Sequence, residues 1–168
     1  ALGPADGSRM VQRLLAYEAW CVAELPADQV RGGRAAVRFA GGVAPWGFVF
    51  AVAFVGLGQP LLAGSMLAGG VGVGLVPVIL RFTGSVAVAA HWMNLFLAQC
   101  LLLGSWTLGG LLSAGMPWLG VCVVTAAFLS GARAGLVWTA IAIGSTWALL
   151  AAHLVGVIPP EPVSPQVI

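Results

Sequence analysis

The sequence contains no lysine, a single tyrosine and, between Phe39 and Ile158, no acidic residue. Each shortage excludes something. Charged residues are 7% of the 168, whereas an average soluble domain has about 25%. A soluble fold of this size has too little polar surface to cover a chain that is 60% apolar. With no carboxylate at the depth of the apolar runs, no Ser/His/Asp relay can be assembled there, and no phosphate loop of the GxxxxGK type is present. The expectation is a chain that is not an enzyme. Transport is disfavoured for the same reason, because an ion or proton path generally needs carboxylates or broken helices.

Cys21, Cys100 and Cys122 are odd in number and lack CxxC or Cys/His spacing. Neither a disulfide framework nor a zinc site follows, no metal is expected, and the thiols read as small apolar fillers. The net charge of +2 is too small, and the arginines too close to apolar runs, for a nucleic-acid surface. Membrane lipids are the expected partners.

What the chain does have is apolar length. A helix crossing the hydrocarbon needs about 20 apolar residues, and runs of that kind extend over Phe39 to Gly58, Leu61 to Leu80, Ser85 to Leu103 and Gly135 to Ile158. A shorter run covers Gly115 to Ser130 and can borrow Leu111 and Leu112. Ahead of them, Met10, Leu14, Tyr17, Cys21 and Leu25 recur at three or four residues. That spacing predicts an amphipathic helix with Ser8 as N-cap and Pro26 as stop, lying in the headgroup plane or packed on a partner. The expected fold is therefore all-α, a polytopic membrane bundle of about five transmembrane helices with a preceding amphipathic helix. It divides into an N-terminal segment 1–38 with an Arg-rich anchor, a bundle 39–158 and a Pro-rich tail 159–168.

Arg31, Arg34 and Arg38 share one side if their segment is helical, and are expected to hold lipid headgroups beside the first span. Five crossings place the loops at Arg81 and Arg133 on the side of these arginines. The positive-inside bias then makes the N-terminus cytoplasmic and the tail extracytoplasmic in a bacterial inner membrane. Trp106 and Trp118 flank the opposite loop as interfacial aromatics do. Small residues four apart, Gly70 and Gly74 in the second span and Ala140, Gly144, Ala148 and Ala152 in the last, are expected at helix contacts, since lipid offers no hydrophobic drive for association.

Ionisable groups inside the spans reduce to His91 and His153. His91, with Asn94 and Gln99 on nearby faces of one helix, is a candidate polar seam. Each histidine alone is a candidate axial ligand for a chlorophyll or haem, with hydrogen bonding between helices as the plainer role. Thr139, Thr146 and His153 repeat every seven residues along the last span.

One stretch carries a family resemblance. Arg81-Phe82-Thr83-Gly84-Ser85 with Ala89-Ala90-His91-Trp92, Gly109-Gly110 with Met116-Pro117-Trp118-Leu119, Ser130-Gly131-Ala132-Arg133-Ala134-Gly135 before Trp138, and Gly156 with Pro159-Pro160 together resemble the N-terminal multi-span input region of bacterial sensor histidine kinases and some diguanylate cyclases. The resemblance covers about half the chain. It implies a sensory input module for signal transduction, with six spans ahead of a cytoplasmic dimerisation helix and an effector, and with a homodimer partner. The chain departs from that pattern after its fifth span and carries no effector motif. It begins at Ala1 without a signal segment, so a longer product is one expectation. The other is an accessory subunit, beside other transmembrane proteins, of a bioenergetic membrane complex such as a photosynthetic reaction centre with its antenna or a respiratory assembly.

Overall fold

A computed structural model of the chain describes residues 4–110, 113 and 115–157. Among these residues all regular structure is helical. The order is α1 (Pro4–Cys21), α2 (Val30–Gly56), α3 (Pro60–Gly74), α4 (Val76–Thr83), α5 (Val86–Thr107), a 3-10 turn (Met116–Trp118), α6 (Leu119–Ser130) and α7 (Ala132–Leu154). α2, α3 with α4, α5 and α7 are long and apolar enough to cross a membrane, and Met116–Ser130 is a shorter apolar helix. The chain is an integral membrane helix bundle.

Several boundaries differ from those read off the sequence: α1 ends at Cys21, short of Pro26, α5 runs on to Thr107, and the starts of α1 and α2 differ most. α1 begins at Pro4 and runs through Ser8, which is therefore not its N-cap; proline suits the first turn, where its missing N–H is not needed. α2 begins at Val30, nine residues before the apolar run, because Gly33, Ala36, Val37 and Ala40 continue the helical spacing of its buried face through the arginines. Hydropathy marks where lipid begins, whereas the helix begins where its packed face does. The second span is two helices joined at Leu75, just ahead of Pro77, whose ring excludes a regular bond to the preceding turn. Leu111, Leu112, Ile158 and the tail lie outside the described residues.

The helices pack by close approach of small residues. A Cβ built on Gly47 of α2 would lie 2.5 Å from the Cα of Gly70 and 2.8 Å from the Met66 carbonyl oxygen on α3, so these two backbones touch. Phe96 of α5 fills the space over Gly72, the Cys100 thiol that over Gly69, and Ala127 of α6 crowds Gly135 of α7. Glycine at such crossings lets dispersion contacts form without displacing lipid from a large side chain. Gly70 thus acts as expected. Of the small residues expected at contacts in the last span, Ala140, Gly144 and Ala148 are exposed and Ala152 is half-buried, because α7 turns Ala134, Gly135, Trp138 and Leu149 inward.

Two apolar clusters result. One joins the end of α1 to α2, α4 and α5 through Cys21, Ala36, Val37, Leu80, Ala89 and Met93. The other joins α5, α6 and α7 through Ala98, Leu119, Cys122, Ala126, Ala134 and Trp138.

Candidate functional site

α5 has a sharp start. Gly84 closes α4 with φ +59°, in the left-handed region that a side chain resists, and Ser85 then caps α5 by accepting from the Val88 N–H at 3.4 Å. From that start, polar side chains leave α5 toward three different helices. The Trp92 indole donates to the Gly72 carbonyl of α3 at 2.8 Å, and Gln99 donates to Ser65 Oγ of α3 at 2.8 Å. Asn94, fully buried, donates to the Cys122 carbonyl of α6 at 2.9 Å and accepts from Thr125 Oγ1 at 2.7 Å. Trp138 of α7 donates its indole N–H to His91 Nδ1 at 2.9 Å.

His91, Asn94 and Gln99 therefore do not converge on one seam. Each points to a separate neighbour, so α5 is the post to which α3, α6 and α7 are pinned. Asn94 is satisfied at both ends of its amide, as a buried amide must be. The Trp138 bond also defines the chemistry of His91. An imidazole nitrogen that accepts a hydrogen bond carries no proton, so the neutral ring has its N–H on Nε2 and no second lone pair to offer. Axial ligation of a chlorophyll or haem through His91 requires that bond to break or the ring to turn.

His153 is exposed in the last turn of α7, fifteen residues beyond Trp138. At a rise of about 1.5 Å per residue it stands about 22 Å along α7 from the His91 partner. The two histidines share no site. Thr139 and Thr146 donate back to Gly135 and Ala142 within α7 at 2.8 Å, so their hydroxyls are used by their own helix. Among the described residues no three of His, Cys, Asp and Glu come together as a metal-ligand set.

The other polar constellation is at the end of the bundle where α2, α5 and α7 begin. Arg38 makes a two-point contact with Glu18 of α1, Nε to Oε1 at 2.8 Å and Nη2 to Oε2 at 2.9 Å. The hydrogen bonds from Arg38 hold the Glu18 carboxyl below the ordinary carboxylate range, with the nearby positive charges adding to the effect. Arg81 lies over the Trp20 ring at 5.5 Å, and its Nη1 approaches Glu24 at 2.8 Å without hydrogen-bond alignment. Gln29 accepts weakly from the Val86 N–H, at 3.4 Å. Asp28, Arg31, Ser85 and Ser130 line one cleft of about 420 Å³ at this end, so the α4–α5 and α6–α7 joints meet the start of α2. Arg31, Arg34, Arg38, Arg81 and Arg133 thereby belong to one end of the bundle. Trp106 and Trp118, both exposed, mark the other.

Of these features, the Glu18 clamp and the Trp138 bond to His91 are not among the sequence expectations. The second has a sequence signal: His91 is the sixth residue of α5 and Trp138 the seventh of α7, two helices that start at the same end. A lone indole donor in an apolar span needs an acceptor at its own depth.

Comparison with family models, curated proteins and solved structures finds no match.

Proposed function

We propose that the chain is a non-enzymatic sensory input module of the bacterial inner membrane, one in which a membrane or ligand signal shifts helix packing around α5. The observation that carries this reading is the radial arrangement of bonds from α5 to α3, α6 and α7. Such bonds average about 0.6 kcal/mol within a bilayer, so each is weak enough to be exchanged. Movement of one post then alters three contacts at once. The start of α5 abuts the basic end through Gln29 and Val86, which couples that post to the end where α1 is clamped. With the basic end cytoplasmic, a signal read within the bilayer reaches the side where an effector works.

Spin labels at Phe82→Cys of α4 and Leu136→Cys of α7, both strongly exposed positions, test the reading in nanodiscs. The input module should show a change of about 2 Å in the interspin distance between thin and thick bilayers, as helix shifts of this kind do. One distance in every bilayer would remove it.

A second reading has its own observation. The outward stripe Ala140, Gly144 and Ala148 on α7 offers no bulky side chains to lipid, as a surface for another transmembrane helix would. This favours an accessory subunit of a larger bioenergetic complex. Under it the interspin distance is invariant, and mild detergent extraction recovers the chain with coloured or redox-active membrane proteins.

A further inference from the structure

α1 leaves the bundle. Its buried end is the last turn, where Cys21 is fully covered and Val22 and Leu25 follow it into the core. Toward its N-terminus the same apolar seam continues through Leu15, Leu14, Val11 and Met10, all more than half exposed. Among the described residues α1 packs chiefly on α2 and α4. It does not follow α2 into the apolar run either, since a methyl group built on Gly41 or Gly42 would meet nothing. The clamp between Glu18 and Arg38 fixes the level of departure, one residue before Phe39 opens that run.

The opposite side of α1 carries Arg9, Gln12 and Arg13, with Tyr17 and Trp20 toward the same flank. We propose that α1 is an in-plane anchor that binds an anionic lipid leaflet, with Met10, Val11, Leu14 and Leu15 at the headgroup–acyl boundary and Arg9 and Arg13 on phosphates. Three observations select lipid as the occupant. The exposed seam emerges at the level where the bundle itself enters hydrocarbon, so the bilayer already adjoins it. From Arg9 onward the polar face carries two arginines and no carboxylate, Glu18 being turned to Arg38, which complements anionic headgroups, and guanidinium groups pair with phosphate oxygens in two-point contacts. Arg31 and Arg34, exposed on the first turns of α2, extend the same charge at the same level.

The test uses the full chain at one copy per nanodisc, with about one-third phosphatidylserine in phosphatidylcholine. Cysteines are introduced singly as Met10→Cys, Leu14→Cys and Gln12→Cys. The parent protein, with Cys21 and Cys122 buried, gives the background. A water-soluble maleimide should label Met10→Cys and Leu14→Cys about tenfold more slowly than Gln12→Cys, because only the apolar face is immersed. Replacing Arg9 and Arg13 by glutamine, or the lipid by pure phosphatidylcholine, should remove most of that roughly tenfold protection and bring Leu14→Cys to about the rate of Gln12→Cys. Equal rates at all three positions in the anionic discs would overturn the proposal. So would protection of Leu14→Cys that arises only with two copies per disc, which would assign the face to a second chain.

Discussion

Gly47→Ala is the most demanding test of how α2 and α3 are held together. The added carbon would lie 2.5 Å from the Gly70 Cα, 2.7 Å from the Gly70 N and 2.8 Å from the Met66 carbonyl oxygen. Non-bonded carbons rest at about 3.5–4.0 Å, so the helices must part by about 1 Å. All three obstructing atoms are backbone, and no rotamer change relieves them. Overpacking of this kind costs about 1–3 kcal/mol. Gly42→Ala is the matched control on the same helix, because its methyl group meets nothing and alanine is the better helix former by about 1 kcal/mol. Thermal unfolding in detergent can be followed with a thiol-reactive dye on a Cys100→Ala background, since Cys100 is partly exposed whereas Cys21 and Cys122 are buried and react only as the bundle opens. The expected order of stability is Gly42→Ala at or above the parent, with Gly47→Ala about 2 kcal/mol below it. Equal stability of the two variants would refute the backbone contact.

Asn94→Leu should cost about 0.6–1.7 kcal/mol, the range for interhelical bonds in a bilayer, and the same unfolding assay reads it. A double-mutant cycle of His91→Ala with Trp138→Phe should give a coupling of about 0.5–1.5 kcal/mol, and none if the indole bond is absent. Gly84→Ala, at φ +59°, should lose about 1–2 kcal/mol from the left-handed strain alone. The Glu18 clamp has a defined pH sign. Its carboxyl is depressed in the folded chain, so its contribution is present above the ordinary carboxylate range and is lost as pH falls through the depressed value. The protection factors of α1 amides, which allow for the slower intrinsic exchange in acid, should therefore fall on acidification, and Glu18→Gln should show the lowered protection already at pH 7.

The membrane fold was legible because length and apolarity of a span are additive properties of a sequence. Arg81, in the last turn of α4, and Arg133, in the first turn of α7, also lie at the short joints between apolar runs where the sequence put them. Partners were not legible. Asn94 meets the carbonyl of Cys122 and Gln99 the hydroxyl of Ser65, contacts set by helix rotation, and apolar spans with polar residues on several sides carry little rotational signal. The same cause turned Ala140, Gly144 and Ala148 outward. Small residues four apart mark a face on which a helix can be approached, but not whether this chain supplies the approaching helix.

A bundle that crosses the bilayer five times puts Arg81 and Arg133 on one side of the membrane and Trp106 and Trp118 on the other. Single cysteines at Phe82, Arg133 and Trp118, probed with an impermeant maleimide in sealed vesicles of known orientation, measure this directly. Phe82→Cys and Arg133→Cys should label from one side, the side reached by a tag ahead of α1, and Trp118→Cys from the other. Labelling of Phe82→Cys and Trp118→Cys from the same compartment would contradict the five crossings.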